Sequence, residues 1–154
     1  ESVQEVRRMS HGLSPSGVKN RGLDGALRLL AETVRTNYRT SCSCETDPLV
    51  KVPDPDAQTH LFRIAQEAVN NAMRHGKPDM IHLSLKHVSD QECELRIDDD
   101  GSGLKKSAGE SEGIGMRVMD YRANLIGGSL QVKARPRGGT RIICRFPCAP
   151  VARS

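Results

Sequence analysis

Residues 66–76 read QEAVNNAMRHG and lie at the end of the most regular helical pattern in the chain. Apolar residues recur at the i, i+3, i+4 and i+7 spacing from about residue 57 to 75, which predicts one amphipathic helix. A polar stripe runs beside the apolar face, at the edge of the core, where a helix borders a cleft. Asn is a poor helix former, so two adjacent asparagines here indicate a functional role. The stripe consists of Glu67, Asn70, Asn71 and Arg74, with His75 on its border.

The remainder of the chain predicts an α+β fold. Alternating apolar and polar residues indicate strands, and Gly127 with Gly128 indicates the end of a second amphipathic helix. We therefore expect a two-layer α/β sandwich, with helices on one face of a mixed, mostly antiparallel sheet and a helical segment in front of it. The expected strands span residues 40–45, 81–85, 93–97, 129–134 and 140–146.

Two helical segments are predicted near the start of the chain, over residues 1–10 and 21–36. Gly12, Pro15 and Gly17 are expected to break the helix between them. The second segment carries an apolar stripe at helical spacing. Its members are Leu23, Ala26, Leu27, Leu30 and Val34.

Composition excludes several classes of protein. The 154 residues are enough for one main core. No apolar run is long enough to span a bilayer, and the net charge of +4 is dispersed, so neither membrane contact nor nucleic-acid binding is expected. Five cysteines without a disulfide-framework spacing predict free thiols in a reducing compartment, with cytoplasm as the default. Cys42 and Cys44 are expected on one strand face, packing rather than binding metal.

A second motif is DDDGSG, at residues 98–103. Strand parity predicts that Asp99 faces the core while Asp98 and Asp100 point away. A buried carboxylate needs a hydrogen-bond donor, and the exocyclic amino group of a bound adenine would supply one.

The polar stripe suits a phosphate-bound metal ion. The carboxamide oxygen of Asn71 is a hard, neutral ligand of the kind Mg²⁺ accepts beside water and phosphate. Glu67, one turn earlier, could orient a metal-bound water or accept a proton. Arg74 could meet phosphate oxygens. An ordinary solvated helix face remains the alternative reading of this stripe.

Glycines complete the predicted pocket. Gly101 and Gly103 permit a tight turn under a flat ring. Residues 113–115, GIG, begin a helix whose free N–H groups would favour phosphate. The polar segment 104–112 predicts a mobile lid. Thr140 is expected to face the same cleft, either for base recognition or for structure.

These motifs, in this order, resemble the ATP-binding domain of two-component sensor histidine kinases, within the gyrase, chaperone, mismatch-repair and histidine-kinase ATPase superfamily. The resemblance spans about residues 61–147. QEAVNNAMRHG is similar to the N box, DDDGSGL to the first glycine box, GIGM to the second and GGT to the closing motif. No GxxxxGK[ST] loop is present.

The resemblance implies a Bergerat-type fold with MgATP as ligand. It implies that Asn71 binds Mg²⁺, that Asp99 binds the adenine amino group and that Glu67 is the catalytic residue. The residues implied to contact the nucleotide are Asn70, Asn71, Arg74, His75, Asp99, Gly101, Gly103, Gly113, Ile114, Gly115, Met116 and Thr140.

The early segment RRMSHGLSPSGVKNRGLDGALRLLA is similar to the subfamily that signals to helix-turn-helix response regulators. It implies that residues 1–37 belong to the second helix region of the dimerisation bundle, 38–150 to the catalytic domain and 151–154 to a tail. His11 stands where that pattern usually has arginine, and Gly12 follows it instead of an acidic residue. We therefore expect the phosphoacceptor histidine to lie outside this chain.

The implied function is histidine phosphorylation from MgATP, followed by transfer to the receiver domain of a response regulator. A homodimer is implied for the full-length protein, which could be cytoplasmic or anchored in a membrane. The alternative is a non-catalytic module of the same fold that senses ATP. A hydrolytic ATPase of the gyrase or chaperone type is a weaker option, since the partner domains that complete those sites are not in this chain.

Overall fold

The computed structural model describes residues 15–101 and 114–148, in which helices and strands form two layers. A π-helical turn, Ala72–Gly76, follows the second helix. The helices are α1 (Pro15–Asn37), α2 (Pro55–Asn71) and α3 (Ile114–Leu125), and the strands are β1 (Ser41–Thr46), β2 (Met80–His87), β3 (Glu92–Asp99), β4 (Ser129–Ala134) and β5 (Thr140–Pro147).

The sheet has the strand order β1-β2-β3-β5-β4. β1 runs parallel to β2, and the other three neighbouring pairs are antiparallel. The predicted mixed, mostly antiparallel sheet is therefore confirmed. Because β3 and β5 are central neighbours, their register sets Asp99 opposite Thr140.

The two faces of the sheet differ in chemistry. One face packs its apolar side chains against the helices, with Leu83, Leu95 and Phe146 at 0–1% exposure. The other face carries ion pairs between neighbouring strands, such as Arg141 with Asp98 at 2.9 Å. Helices on one face of the sheet are thus confirmed, since the buried apolar cluster of the described residues lies between the helices and that face.

Helix α1 breaks at a different residue from the one predicted. Its backbone leaves helical geometry at Gly22 (φ 76°, ψ 169°), a left-handed φ that favours glycine. Gly17 lies inside the helix, so the expected break there is wrong, and Gly12 lies outside the described residues. The predicted apolar stripe is buried in the same core as α2 and β1: Leu23, Ala26, Leu27, Leu30 and Val34.

The cysteines divide into two groups. The expectation of free thiols is wrong for Cys93 and Cys148, which form a disulfide that ties the start of β3 to the end of β5. Cys42 and Cys144 are buried free thiols, and desolvation raises the pKa of each to about 12. Cys44 is half-buried. A one-dimensional pattern could not foresee the disulfide, because its partners are 55 residues apart.

Within residues 15–101 and 114–148, no helix combines the length and the apolar character that crossing a bilayer requires.

Candidate functional site

Helix α2 is held at both ends by local chemistry. Asp54 caps its N-terminus by accepting a hydrogen bond from the Asp56 backbone N–H at 3.0 Å, and Pro55 follows as the first helical residue. At the other end the chain widens into the π turn and then reverses at Lys77 (φ 46°). π turns of this kind often occur at functional sites.

The π turn directs Arg74 back along the helix. Its Nη2 donates to Asn71 Oδ1 at 2.6 Å and lies 3.5 Å from Glu67 Oε2. The predicted stripe thus contains one connected group, Glu67–Asn71–Arg74. The side chain of Arg74 remains 38% exposed and that of Glu67 28%, so both can reach a ligand from the cleft side.

Glu67 is electrostatically unusual. Desolvation by burial raises the pKa of its carboxyl group, and the positive charges of Arg74 and Arg122 oppose this rise without cancelling it. A carboxylate with a raised pKa binds a proton more readily near neutrality, which is the property required of a general base.

The first turn of α3 lies directly against this group. A Cβ added at Gly115 would come within 2.5 Å of Glu67 Oε2 and 3.3 Å of Asn71 Nδ2. The missing side chain at Gly115 leaves the space that the Glu67 carboxylate occupies, so the second glycine motif and the polar stripe form one surface.

Replacing Gly115 with Ala is expected to leave the fold intact and to weaken, by about tenfold or more, binding of the MgATP that the sequence resemblance implies. The methyl group must push the Glu67 carboxylate aside and press against the Asn71 carboxamide, 3.3–3.4 Å away, and misplacing a site group by about 1 Å can cost on the order of 100-fold in function. Thermal unfolding and calorimetry with MgATP would measure the two effects. Gly25→Ala in α1 is the control, because its added methyl faces Arg21 instead of the site. Unchanged affinity in Gly115→Ala would contradict the close packing.

Asp99 ends β3 as a carboxylate with 7% exposure. The backbone N–H of Gly101 donates to its Oδ1 at 2.9 Å. Burial raises the pKa of Asp99, while the N–H groups of Gly101 and Thr140 act in the opposite direction. The carboxylate is thus held in place by main-chain donors.

The two neighbouring aspartates, Asp98 and Asp100, bind other partners. Asp98 lies on the opposite face of the sheet and points away from the core. Its side chain is nevertheless only 8% exposed, because Arg141 covers it. Asp100 is exposed and accepts hydrogen bonds from the backbone N–H groups of Asp79 and Met80, both at 2.9 Å. These bonds join the end of β3 to the start of β2 beside Asp99.

Two further close approaches join the remaining motifs. A Cβ at Gly101 would lie 2.5 Å from the carbonyl oxygen of Gly76, so the turn after β3 touches the end of the π turn. A Cβ at Gly139 (φ 101°) would overlap the carbonyl oxygen of Asp99. The motifs predicted from separate stretches of sequence therefore meet around the C-terminal half of α2.

The other predicted site residues are distributed as follows. Asn70 is buried at 8% exposure, and Thr140 at 9%. His75 is exposed, Met116 packs against the core, and Ile114 is 79% exposed. Residues that lie outside the described part of the chain are Gly103, Gly113, the predicted lid 104–112 and His11.

Two arginines at this site were not predicted. Arg135 Nη1 donates to the Asp99 carbonyl oxygen at 3.0 Å, and Arg122 on α3 contacts His60 Nδ1 at 3.0 Å while acting on Glu67. Arg135 is separated from Asp99 by 36 positions, and no local pattern marks it. The turn it shares with the GGT motif is the one signal that could have suggested it.

The sequence is similar to a known protein family and to several characterised proteins. The model of the histidine kinase-, DNA gyrase B- and HSP90-like ATPase family matches residues 56–150, more than half of the chain. The oxygen sensor histidine kinase NreB of Staphylococcus carnosus is 27% identical over 94% of this chain and 42% of its own length. Sensor histidine kinase LiaS of Bacillus subtilis is 29% identical over 97% of this chain and 41% of its own length.

The fold is also similar to that of a solved structure. The ATP-binding domain of PrrB from Mycobacterium tuberculosis superposes with a TM-score of 0.65 at 26% identity, covering 83% of this chain and 93% of that one. The fold and the site thus define a domain of the histidine-kinase-like ATPase class. The chain belongs to the histidine kinase-, DNA gyrase B- and HSP90-like ATPase family. It spans less than half the length of the curated relatives it matches.

Proposed function

We propose that this chain is the catalytic part of a sensor histidine kinase. It would bind MgATP and transfer the γ-phosphoryl group to a histidine on a helix outside the chain, from which a response regulator aspartate takes it. The observation that carries the proposal is the contact of Gly115 with Glu67 and Asn71, because it joins a phosphate-type helix N-terminus to the polar stripe.

The adenine end of the site rests on Asp99. The backbone N–H groups of Gly101 and Thr140 use two of about four acceptor positions of the carboxylate, which leaves others for the amino group of a purine. A buried carboxylate held by main-chain N–H groups requires no rearrangement before the base binds, which favours affinity.

The metal end rests on Asn71. Its carboxamide oxygen and the phosphates of ATP are hard oxygen donors, which fit the coordination that Mg²⁺ prefers. In this structure Arg74 donates to the same oxygen. Coordination of the ion by Asn71 Oδ1 would replace this hydrogen bond, so the Arg74 guanidinium could bind phosphate oxygens instead.

Glu67 is the residue we assign to proton transfer. When the γ-phosphorus bonds to an imidazole nitrogen, the P–O bond to ADP breaks and the N–H proton must leave. A carboxylate with a raised pKa beside the phosphate region can accept that proton. Most of the remaining acceleration would come from positioning and charge neutralisation.

We also propose a division of the chain into a partial dimerisation segment, a catalytic domain and a short tail. The packing of Leu27 and Leu30 in the common core supports a boundary at the Gly22 break instead of at Asn37. The catalytic domain would then begin with the second half of α1. A cytoplasmic setting, a homodimeric full-length protein and a response regulator partner belong to the same proposal.

Asn71→Ala is expected to remove most of the effect of Mg²⁺ on nucleotide affinity. Wild type should bind ATP more tightly with Mg²⁺ than with a chelator, whereas the variant should show little difference, since its ion ligand is gone. Calorimetry with ATP under both conditions measures this. Asn124→Ala, on the exposed side of α3, is the control. No binding of adenine nucleotides by wild type would overturn the proposed function, and a full Mg²⁺ effect in Asn71→Ala would overturn the metal assignment.

A further inference from the structure

A second cluster of reactive side chains lies away from the nucleotide site. His87 ends β2, Cys93 begins β3, and Cys148 follows β5. His87 Nδ1 is 3.6 Å from Cys93 Sγ and 3.8 Å from Cys148 Sγ. These three ligand atoms lie within 4.8 Å of one another, and we call the group the thiol–imidazole cluster.

The surroundings of His87 indicate more than disulfide packing. Its Nε2 lies 3.2 Å from the carbonyl oxygen of Leu49, and its Nδ1 lies 3.1 Å from the carbonyl oxygen of Ser89. A neutral imidazole carries one N–H, so it can donate to only one of these oxygens. Metal-binding histidines usually donate their second ring N–H to a backbone carbonyl, which here is that of Leu49. With the N–H on Nε2, the lone pair of Nδ1 would be available to an ion held by the two sulfur atoms.

The distances fit a soft divalent cation. Zn–S bonds of about 2.3 Å and Zn–N bonds of about 2.0–2.1 Å in a tetrahedral site place nitrogen about 3.5 Å from each sulfur. The observed separations of 3.6 and 3.8 Å are close to that value. The Ser89 carbonyl oxygen, on the same side of the ring, can provide a fourth ligand. For the ion to bind, the disulfide must be reduced and the two sulfur atoms must move apart, while the imidazole can stay where it is.

We propose that the reduced thiol–imidazole cluster binds one Zn²⁺ through Cys93, Cys148 and His87 Nδ1, with Ser89 O as the fourth ligand. Binding releases two thiol protons. An organic hydroperoxide would reverse it: the two thiolates give up two electrons to form the disulfide, and the hydroperoxide takes them with two protons to yield an alcohol and water. The ion then leaves, because no thiolate remains to hold it.

The cluster is accessible to an ion and remote from ATP. Cys148 lines an open cleft of about 400 Å³ between the start of α2 and the end of α3, far larger than the ~30 Å³ share of one water. Cys93 and Asp99 lie at opposite ends of β3, about 20 Å apart along the strand. Metal binding here can therefore be tested independently of nucleotide binding.

The test uses Co²⁺ as a spectroscopic probe on the full chain. Thiol titration of denatured protein distinguishes the two states, with five thiols after phosphine reduction and three after oxidation. The reduced chain should bind one Co²⁺ with thiolate-to-cobalt charge-transfer absorption, and Zn²⁺ should abolish that absorption. The oxidised chain should show none. Absence of the absorption in the reduced chain, or its equal strength after oxidation, would overturn the proposal.

Two variants test the ligand assignment separately. His87→Gln and Cys148→Ser should each weaken Co²⁺ binding by at least about tenfold, since even outer-shell partners of metal ligands change affinity by ~10–100-fold. Cys44→Ser, at a half-buried thiol on β1, should bind as wild type. Circular dichroism and thermal unfolding report whether each variant is folded. Wild-type Co²⁺ affinity in a folded His87→Gln variant would show that the imidazole is not a ligand.

Discussion

Replacing Asp99 with Asn is expected to weaken MgATP binding severely. The substitution removes a charged acceptor for the adenine amino group and turns an amide toward a site built for a carboxylate. A hydrogen bond to a charged group contributes about 1.5–3 kcal/mol, so the loss should be roughly 10- to 100-fold or more. Isothermal calorimetry with MgATP and MgADP measures it.

Asp98→Asn is the matched control, one residue earlier in the same strand. Asp98 lies on the opposite face and pairs with Arg141 at 2.9 Å, so its loss affects stability but no nucleotide contact. Wild-type affinity is expected. Equal affinity for MgATP in Asp99→Asn and wild type would remove the central support for the site.

The pH dependence of unfolding tests the state of Asp99 without any ligand. Because burial raises its folded pKa, the folded chain holds this proton more tightly than the unfolded chain. Its contribution to stability is therefore present below the unfolded pKa and lost as pH rises through the folded pKa. Asn cannot ionise, so the stability of Asp99→Asn relative to wild type should increase over that rise. Thermal unfolding at a series of pH values would show it, and a relative decrease would contradict a desolvated carboxylate.

Replacing Glu67 with Gln is expected to reduce phosphoryl transfer by about 10²- to 10⁴-fold, the usual contribution of a positioned general base. MgATP affinity should remain near that of wild type, since Gln keeps the size of Glu and one acceptor oxygen that Arg74 can use. Transfer is followed with γ-labelled ATP and a separately purified helix that carries a histidine followed by an acidic residue.

Glu32→Gln is the control for this experiment, because Glu32 is an exposed carboxylate on α1. It should transfer at the wild-type rate. A wild-type rate in Glu67→Gln would refute the assignment of Glu67. Tight MgATP binding by wild type with no phosphohistidine would favour the ATP-sensing alternative over the kinase. Steady release of phosphate by the chain alone would favour a hydrolytic ATPase.

Local patterns anticipated much of this fold. The helical spacing around Leu61 and Ile64 predicted α2, and strand alternation predicted the inward side of β3 and β5. Glycine pairs predicted the end of α3 near Gly127, where the φ of 77° confirms it. These features can be predicted from the sequence because periodicity, turn chemistry and chain reversal depend on residues only a few positions apart.

Three contacts between residues far apart in the sequence could not be predicted from local patterns. The Cys93–Cys148 disulfide, the covering of Asp98 by Arg141, and the bond from Arg135 to Asp99 each join residues at least 36 positions apart. The strand order that places β5 between β3 and β4 creates all three. No local energy term distinguishes that order from its alternatives, because it is set by the total burial and pairing of the finished sheet.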